Sequence, residues 1–472
     1  MTLDANAIRT TVDARWDGDV LDPLRDYVAI PNVSPAFDAD WQATGHMARA
    51  TELVRAWCAS RPIDGMVVEV HDLPGRTPLV LCEIPATDAE LADDTVVLYG
   101  HLDKQPEMTG WRDGLGPWTP VLEGDRLYGR GGADDGYSVF AALTAIEALR
   151  EAGGRHARLL VLVEASEESG SPDLPAHLEA LGDRLGDVSL VIGLDSGCAT
   201  YDRLWVTTSL RGMLVANVRV EVLTEGVHSG SAGGVVPDSF RLLRRLLDRI
   251  EDPDTGRVLV DEMGAAVPPE REAQLADSAA EIVAGMAMPW AGSTRPTTDD
   301  PVELLRARTW EPSIATIAMD GFPPADRAGN VLRPHTTATL SCRLAPTADP
   351  HAVAEALERA LTDDPPHGAT VHVDVRGAEA GWNAPATTPW LRSALDDAST
   401  AHWGAPSAAL GEGGTIPFMG MLGARFPSAQ FLITGVLGPG SNAHGPNEFL
   451  HLPTARRITA TVSHVLDAHA RR

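Results

Sequence analysis

TVVLYGHLDKQPEMTGWRDGLGPWTPVLEGDRLYGRGGADDGYS, residues 95–138, is the stretch around which the chain is organised. The run 95–99 is apolar and β-branched, as in a strand buried on both faces, and it releases His101 and Asp103 just past its end, where open α/β sheets collect their ligands. Further on, the glycine-dense turn Gly129-Arg130-Gly131-Gly132 presents Asp134 and Asp135 ahead of an apolar helix. An imidazole and carboxylates gathered there would suit a cation. Taken singly each residue is ordinary, because Asp caps helices and fills turns, so a site needs further ligands from elsewhere.

Outward from this stretch, strand-like runs recur at 66–70, 79–84, 159–163 and 190–194, with helical patterns at 7–33, 45–58 and 138–150. Such alternation predicts an α/β sandwich. The run 159–163 leads into Glu164-Ala165-Ser166-Glu167-Glu168-Ser169-Gly170, and 190–194 leads into Asp195-Ser196-Gly197. Strand ends therefore carry His101, the Glu167-Glu168 pair and Asp195, with Asp134 at a further turn and His444 in the loop LGPGSNAHGPNEF, 437–449. Two imidazoles and three carboxylates form a mixed nitrogen and oxygen set suited to zinc or manganese, and a carboxylate with both oxygens free can bridge two ions about 3.5–4 Å apart. Of two adjacent glutamates, one can coordinate while the other stays free as a general base.

After Leu210-Arg211-Gly212 the texture changes. Residues 214–222 alternate like a half-exposed strand, and Phe240, Leu243, Leu246, Leu247 and Ile250 mark an amphipathic helix. A charged, Pro-containing stretch at 251–312 separates these from strands at 313–318 and 336–344, a helix at 352–361 and a strand at 371–375. That order is ferredoxin-like. The expected architecture is a catalytic α/β sandwich formed by 1–210 and 381–472, interrupted by a ferredoxin-like α+β lid at 211–380.

A length of 472 residues exceeds what one core usually supports, and 44% hydrophobic with 22% charged residues is the composition of an ordinary soluble protein. The net charge of −28 argues against a nucleic-acid partner, since phosphate binding rests on Lys and Arg. No run of about 18 apolar residues would span a membrane, and MTLDANAIRTTVDARWDGDV lacks the basic-then-apolar pattern of a leader. Cys58, Cys82, Cys198 and Cys342 match neither a zinc knuckle nor a disulfide framework, which points to a reducing cytoplasm. No G-x-S-x-G elbow is present, and GRGGADDG lacks the Lys-Ser/Thr of a P-loop. Lys104, the only lysine, either pairs with an acidic neighbour or an anionic substrate near the metal site, or extends into solvent.

The motifs GHLDKQP (100–106), LYGRGGADD (127–135), EASEESGS (164–171), LDSG (194–197), SLRG (209–212), HSG (228–230), GEGGTIP (411–417) and NAHGPNE (442–448) together resemble the M20 family of metallopeptidases, within it the carnosinase-like dipeptidases. The resemblance implies that Asp134 bridges two ions, that His101 and Asp195 complete one site, and that Glu168 and His444 complete the other. It implies Glu167 as general base and later acid, Asp103 as the residue holding His101 in its tautomer, and a cis peptide at Asp134-Asp135. It also implies a homodimer in which the insert lends His228 to the partner's active site, and Arg343 as binder of a substrate carboxylate, with Asn330 as a secondary candidate. The amides around Gly414 and the Thr415 hydroxyl could meet a terminal carboxylate as well, because small residues allow close approach. Two departures stand out: Gly136 where relatives commonly place Lys, and Lys104 where they commonly place Val. The expected activity is hydrolysis of dipeptides or similar small amides by a metal-bridged water, using two divalent ions, Zn²⁺ first with Mn²⁺ or Co²⁺ as alternatives. An N-acyl-amino-acid amidohydrolase on the same metal core is the alternative, and a catalytically dead binding protein the remote one. Neither nucleic acid nor membrane is an expected partner.

Overall fold

The computed structural model describes residues 3–286 and 288–472. Its main sheet has six strands in the order Val67–His71, Leu79–Ile84, Arg158–Glu164, Asp94–His101, Asp187–Gly193 and Gln430–Ile433. The first two pair antiparallel and Leu79–Ile84 runs antiparallel to Arg158–Glu164. The remaining neighbours are parallel, so four strands point their carboxyl ends the same way. Alternate residues serve two cores. Val96, Leu98, Val161 and Ile192 join a cluster with helices that include Ser138–Glu151 and Leu452–Ala470, while Val97, Tyr99, Leu160 and Val191 join one with Leu174–Leu181 and Pro417–Arg425. The near-continuous apolar runs follow from this double burial.

A separate, smaller antiparallel sheet has the order Ser313–Asp320, His335–Leu344, Gly212–Glu221, Thr370–Glu379. One face packs on helices Ser239–Leu247 and Pro350–Thr362, so Leu214, Ala216, Val218 and Val220 are buried while the residues between them are half-buried. The chain reaches this sheet through Gly212 and leaves it through Gly381. A Cβ on Gly212 would lie 2.8 Å from the Glu379 carbonyl oxygen, and one on Gly381 would lie 2.7 Å from the Leu210 carbonyl oxygen, so the two crossings touch backbone to backbone.

The stretch 251–312 is more structured than its composition suggests. It contains helices Pro269–Gly285 and Pro301–Thr309, which bury Leu275, Ile282 and Leu305 with Trp205, Trp310 and Leu410 in a fourth core. The buried Arg211 donates to the main-chain oxygens of Ala307, Glu311 and Gly413, tying this region to the strand Ala408–Glu412. Charged residues on the outer faces of both helices mask their apolar stripe in a composition-based reading.

Lys104 meets neither expectation. It is fully buried, and its Nζ donates to the main-chain oxygens of Tyr27 at 2.8 Å, Val28 at 3.3 Å and Ile30 at 2.8 Å. These lie at the carboxyl end of helix Leu21–Val28, where a cation complements the helix dipole, and the ammonium also sits 4.1 Å from the Tyr27 ring centroid. A Cβ on Gly131, whose φ is +75°, would fall 2.5 Å from Cγ of Lys104, so the lysine stem and the glycine turn are packed as one unit. Replacing Lys104 by Met keeps the stem and strands the Val28 and Ile30 carbonyls, each costing about 1–3 kcal/mol, while the Tyr27 carbonyl keeps the Ile30 N–H. The expected outcome is a lower denaturation midpoint with kcat/KM changed equally on acidic and neutral substrates; a selective effect on acidic ones would show that the lysine reads substrate charge.

Candidate metal centre

The parallel ladder sets the first part of the site. His101 ends its strand opposite Glu164, and Glu167 and Glu168 follow in a single 3₁₀ turn, Glu167–Ser169. Asp103 fastens that turn: its Oδ1 accepts the Glu167 N–H at 3.0 Å and its Oδ2 the Glu168 N–H at 3.0 Å. Toward His101 it presents a main-chain oxygen 3.1 Å from Nδ1 and a carboxylate oxygen at 3.4 Å. With Nδ1–H donating there, the lone pair of Nε2 faces the site. Asp103 thus holds both the imidazole and the backbone of the glutamate pair, the second of which sequence reading missed.

Asp134 reaches both imidazoles. One carboxylate oxygen lies 3.5 Å from His101 Nε2, and the other lies 3.0 Å from His444 Nε2. His101 Nε2 is also 3.7 Å from Asp195 and 4.0 Å from Glu167, while His444 Nε2 is 3.4 Å from Glu168. The donors fall into two groups able to hold an ion, His101-Glu167-Asp195 and Asp134-Glu168-His444. The Asp134-Asp135 peptide is cis, as the resemblance implied. Asp135 is buried behind the site and takes the His101 N–H at 3.3 Å.

Asp195 follows the strand Asp187–Gly193, and the next turn packs so tightly on the neighbouring strand that a Cβ on Gly435 would lie 1.9 Å from the Ser196 carbonyl oxygen. Glu412 braces the same turn, accepting from Ser196 Oγ at 2.7 Å, Gly197 N–H at 3.0 Å and Thr207 Oγ1 at 3.1 Å. Gln105 donates to Glu168 at 2.7 Å. Both Glu412 and Gln105 lie inside quoted motifs, but a polar residue beside a ligand carries no pattern that separates it from a turn residue.

These groups suit cations. His101 Nε2 is buried and has no hydrogen-bond partner among the described residues, although acidic oxygens surround it. Burial, and then the Asp195 charge, pushes Glu167 well above the usual carboxylate range. Burial, and then the Asp134 charge, pushes Glu168 to about 8, and burial raises Asp195 to about 7. Burial opposes a charged His444, yet its hydrogen bond to Asp134 and the Glu168 charge outweigh this and raise it to about 9. Protons are being drawn in where positive charge is missing.

Asp134, Glu167, Glu168, Asp195 and His444 open onto a cleft of about 450 Å³ that Glu412 and Thr415 also line. Arg343 Nη1 lies 3.4 Å from Thr415 Oγ1 at the cleft's margin, and Gly414 beside it is exposed. His228 and Asn330 are elsewhere: both are exposed, in and beside the short pairing of Val227–His228 with Val331–Leu332, where the Asn330 carbonyl accepts the Ser229 N–H and His228 Nδ1 accepts the Gly230 N–H. Neither is among the residues lining this chain's cleft.

The sequence model of peptidase family M20/M25/M40 matches residues 97–468. A cysteinylglycine-S-conjugate dipeptidase of Corynebacterium striatum is 29% identical over 364 residues, covering 75% of this chain and 76% of the relative. Among solved structures, the dipeptidase Dug1p of Saccharomyces cerevisiae superposes with a TM-score of 0.75 at 22% identity over 100% of both chains. Human carnosine dipeptidase 1 superposes with a TM-score of 0.75 at 21% identity over 99% of each.

In the metal-free protein Glu168, Asp195 and His444 all have folded pKa values above their ordinary ones, so what they contribute to stability is lost as pH rises through about 7 to 9, above the range in which the buried His156, His402 and His469, lowered to about 4, act in the opposite sense. Asp134 is shifted the other way, and its contribution disappears only below that window. Chelator-treated protein should therefore lose thermal stability from pH 7 to 8.5, and a divalent cation should restore it at pH 8.5. Melting curves with and without metal check this, and a cation-independent midpoint would contradict it.

Proposed function

Because the chain belongs to peptidase family M20/M25/M40, we propose that it is a metallodipeptidase cleaving the amide bond of dipeptides or closely similar small amides in the cytoplasm. The observation that carries this reading is the Asp134 carboxylate, with one oxygen toward each imidazole and an acidic partner beyond each. His101 and Asp195 would hold one divalent cation, Glu168 and His444 the other, and Asp134 both; zinc suits these donors best, with manganese or cobalt as alternatives. Bound there, the ions would supply Lewis acidity toward a water and toward the scissile carbonyl.

Glu167 would take the proton from the attacking water and return it to the departing amine. Burial beside Asp195 makes its carboxylate more basic than an exposed one, and the Asp103 clamp keeps its backbone from drifting. At the cleft's margin, Arg343, with the Thr415 hydroxyl and the main chain at Gly414, would receive the substrate's terminal carboxylate; burial, with no carboxylate partner among the described residues, lowers the Arg343 guanidinium and leaves it ready for an anion.

Residues 211–380 would serve as lid and dimerisation domain. His228 is exposed in a single chain, and the strand Ser313–Asp320 leaves Ile317 and Met319 59% and 46% exposed, an apolar edge suited to a second copy. In a homodimer His228 would reach the partner's cleft and donate to the oxyanion formed at the carbonyl carbon, with Asn330 travelling beside it.

Glu167→Gln should keep both metals and lose turnover by about 10²–10⁴-fold or more, whereas Asp134→Ala should lose metal. Near-normal activity of purified Glu167→Gln protein would refute the assignment. Dipeptides should outperform N-acetyl-amino acids, and the reverse preference would replace this reading by the amidohydrolase one. Inactive His228→Ala and inactive Glu167→Gln proteins, mixed and allowed to exchange subunits, should regain part of the activity; verified heterodimers without recovery would place His228 outside the reaction.

A further inference from the structure

His444 is the odd member of the two clusters. Its side chain is 56% exposed, against 7% for Asp134 and 4% for Glu168, so packing does little to place it. Its backbone is in the left-handed region, φ +62°, as are those of Asn442 at +56° and Asn447 at +62°, a conformation that Asn and His enter more readily than most residues. Residues 438–448 form neither helix nor strand, so the place of the loop depends on what it is tied to. His101 and Asp195, by contrast, issue from adjacent strands whose parallel ladder already sets their spacing.

The tie is an ion pair buried below the loop. Arg130 is 1% exposed and Glu448 0%, and Nη1 of Arg130 donates to Glu448 Oε2 at 2.5 Å. Nη2 of the same guanidinium donates to the main-chain oxygen of Gly445, next to His444, at 2.9 Å, and Nε donates to Pro106 at 3.2 Å. From the other side, Glu448 Oε1 accepts the Gly131 N–H at 2.9 Å, and the Glu448 carbonyl accepts the Gly129 N–H at 3.0 Å. One planar fork therefore connects the turn that delivers Asp134 to the loop that delivers His444.

We propose that Arg130 and Glu448 are positioning residues for the Asp134-Glu168-His444 cluster, setting its cation affinity separately from that of the His101 cluster. This rests on the reading that both clusters bind cations. A lysine does not reproduce the arginine, because three separate nitrogens of a rigid guanidinium reach Pro106, Glu448 and Gly445, and a lysine offers one nitrogen on a flexible stem. Loss of the fork frees the loop that carries His444, whereas His101 and Asp195 stay at their strand ends and the turn of Asp134, which both cations share, stays closed by the Gly136 N–H on the Gly131 carbonyl at 3.0 Å.

The test is a Co²⁺ titration of metal-free protein, followed by visible absorption and by metal content after dialysis against a buffered concentration of free ion. Wild type, Arg130→Lys, Glu448→Gln and, as a reference, His444→Ala are compared. Wild type should bind two ions per chain and His444→Ala one. Arg130→Lys should bind the first ion as wild type does and the second about 10–100-fold more weakly, the usual effect of removing a group that orients a ligand. Glu448→Gln, which keeps the volume, should do the same and stands in if Arg130→Lys does not fold. Equal weakening of both ions would make the pair a general stability element and overturn the proposal, as would unchanged affinity for both. A His444→Ala protein that still binds two ions as tightly as wild type would remove His444 from the ligands and overturn the proposal, whereas a wild-type protein that binds fewer than two would instead count against the two-cation reading itself.

Discussion

Buried like charge is the constraint on which the rest of the structure depends. Asp134, Glu167, Glu168 and Asp195 converge on two imidazoles at the carboxyl ends of the parallel strands of a mixed sheet, with Asp135 buried just behind. In a low-dielectric interior such a set cannot all be ionised without compensating positive charge. Its tolerance in the fold is itself an argument for cations, and the upward-shifted carboxylates and imidazoles express the same deficit.

The surroundings of the site supply rigidity instead of charge. Asp103 spends its carboxylate on the N–H groups of the glutamate turn, Glu412 braces the turn after Asp195, and Lys104 closes the carbonyl end of helix Leu21–Val28. Asp103 and Lys104 point no free charge into the cleft, and Glu412, which lines it, commits Oε1 to the turn. Each converts a loop at a strand end into a segment whose backbone is hydrogen-bonded at a set place, which a cluster of ligands needs if its geometry is to be held.

Much of this was legible in the sequence. The strands at 95–99, 159–163 and 190–194 are read from continuous apolar runs because they are buried on both faces, and the structure extends them only to Asp94–His101, Arg158–Glu164 and Asp187–Gly193. The ligand candidates stand at their ends because an open parallel sheet leaves few other places for polar groups to converge. The helices Pro269–Gly285 and Pro301–Thr309 were hidden, since each buries only a few residues against its neighbours and is otherwise charged and interrupted by proline-rich segments.

The sequence by itself determined the main apolar strands, their order, and the residues whose chemistry requires them at strand ends, because burial and side-chain period are local properties of the chain. Only the tertiary structure decided which polar residues meet. Arg130 and Glu448 are 318 positions apart, Lys104 and Tyr27 are 77 apart, and neither pair has a spacing that periodicity could reveal. Lys104 shows the difference most plainly. As a lone cation one residue from Asp103 it reads as an electrostatic partner of the site, but the packing of helix Leu21–Val28 against the glycine turn places three carbonyl oxygens around its ammonium instead. A charge takes whichever partner the fold brings within hydrogen-bonding distance, and that distance is set by chain segments remote in sequence.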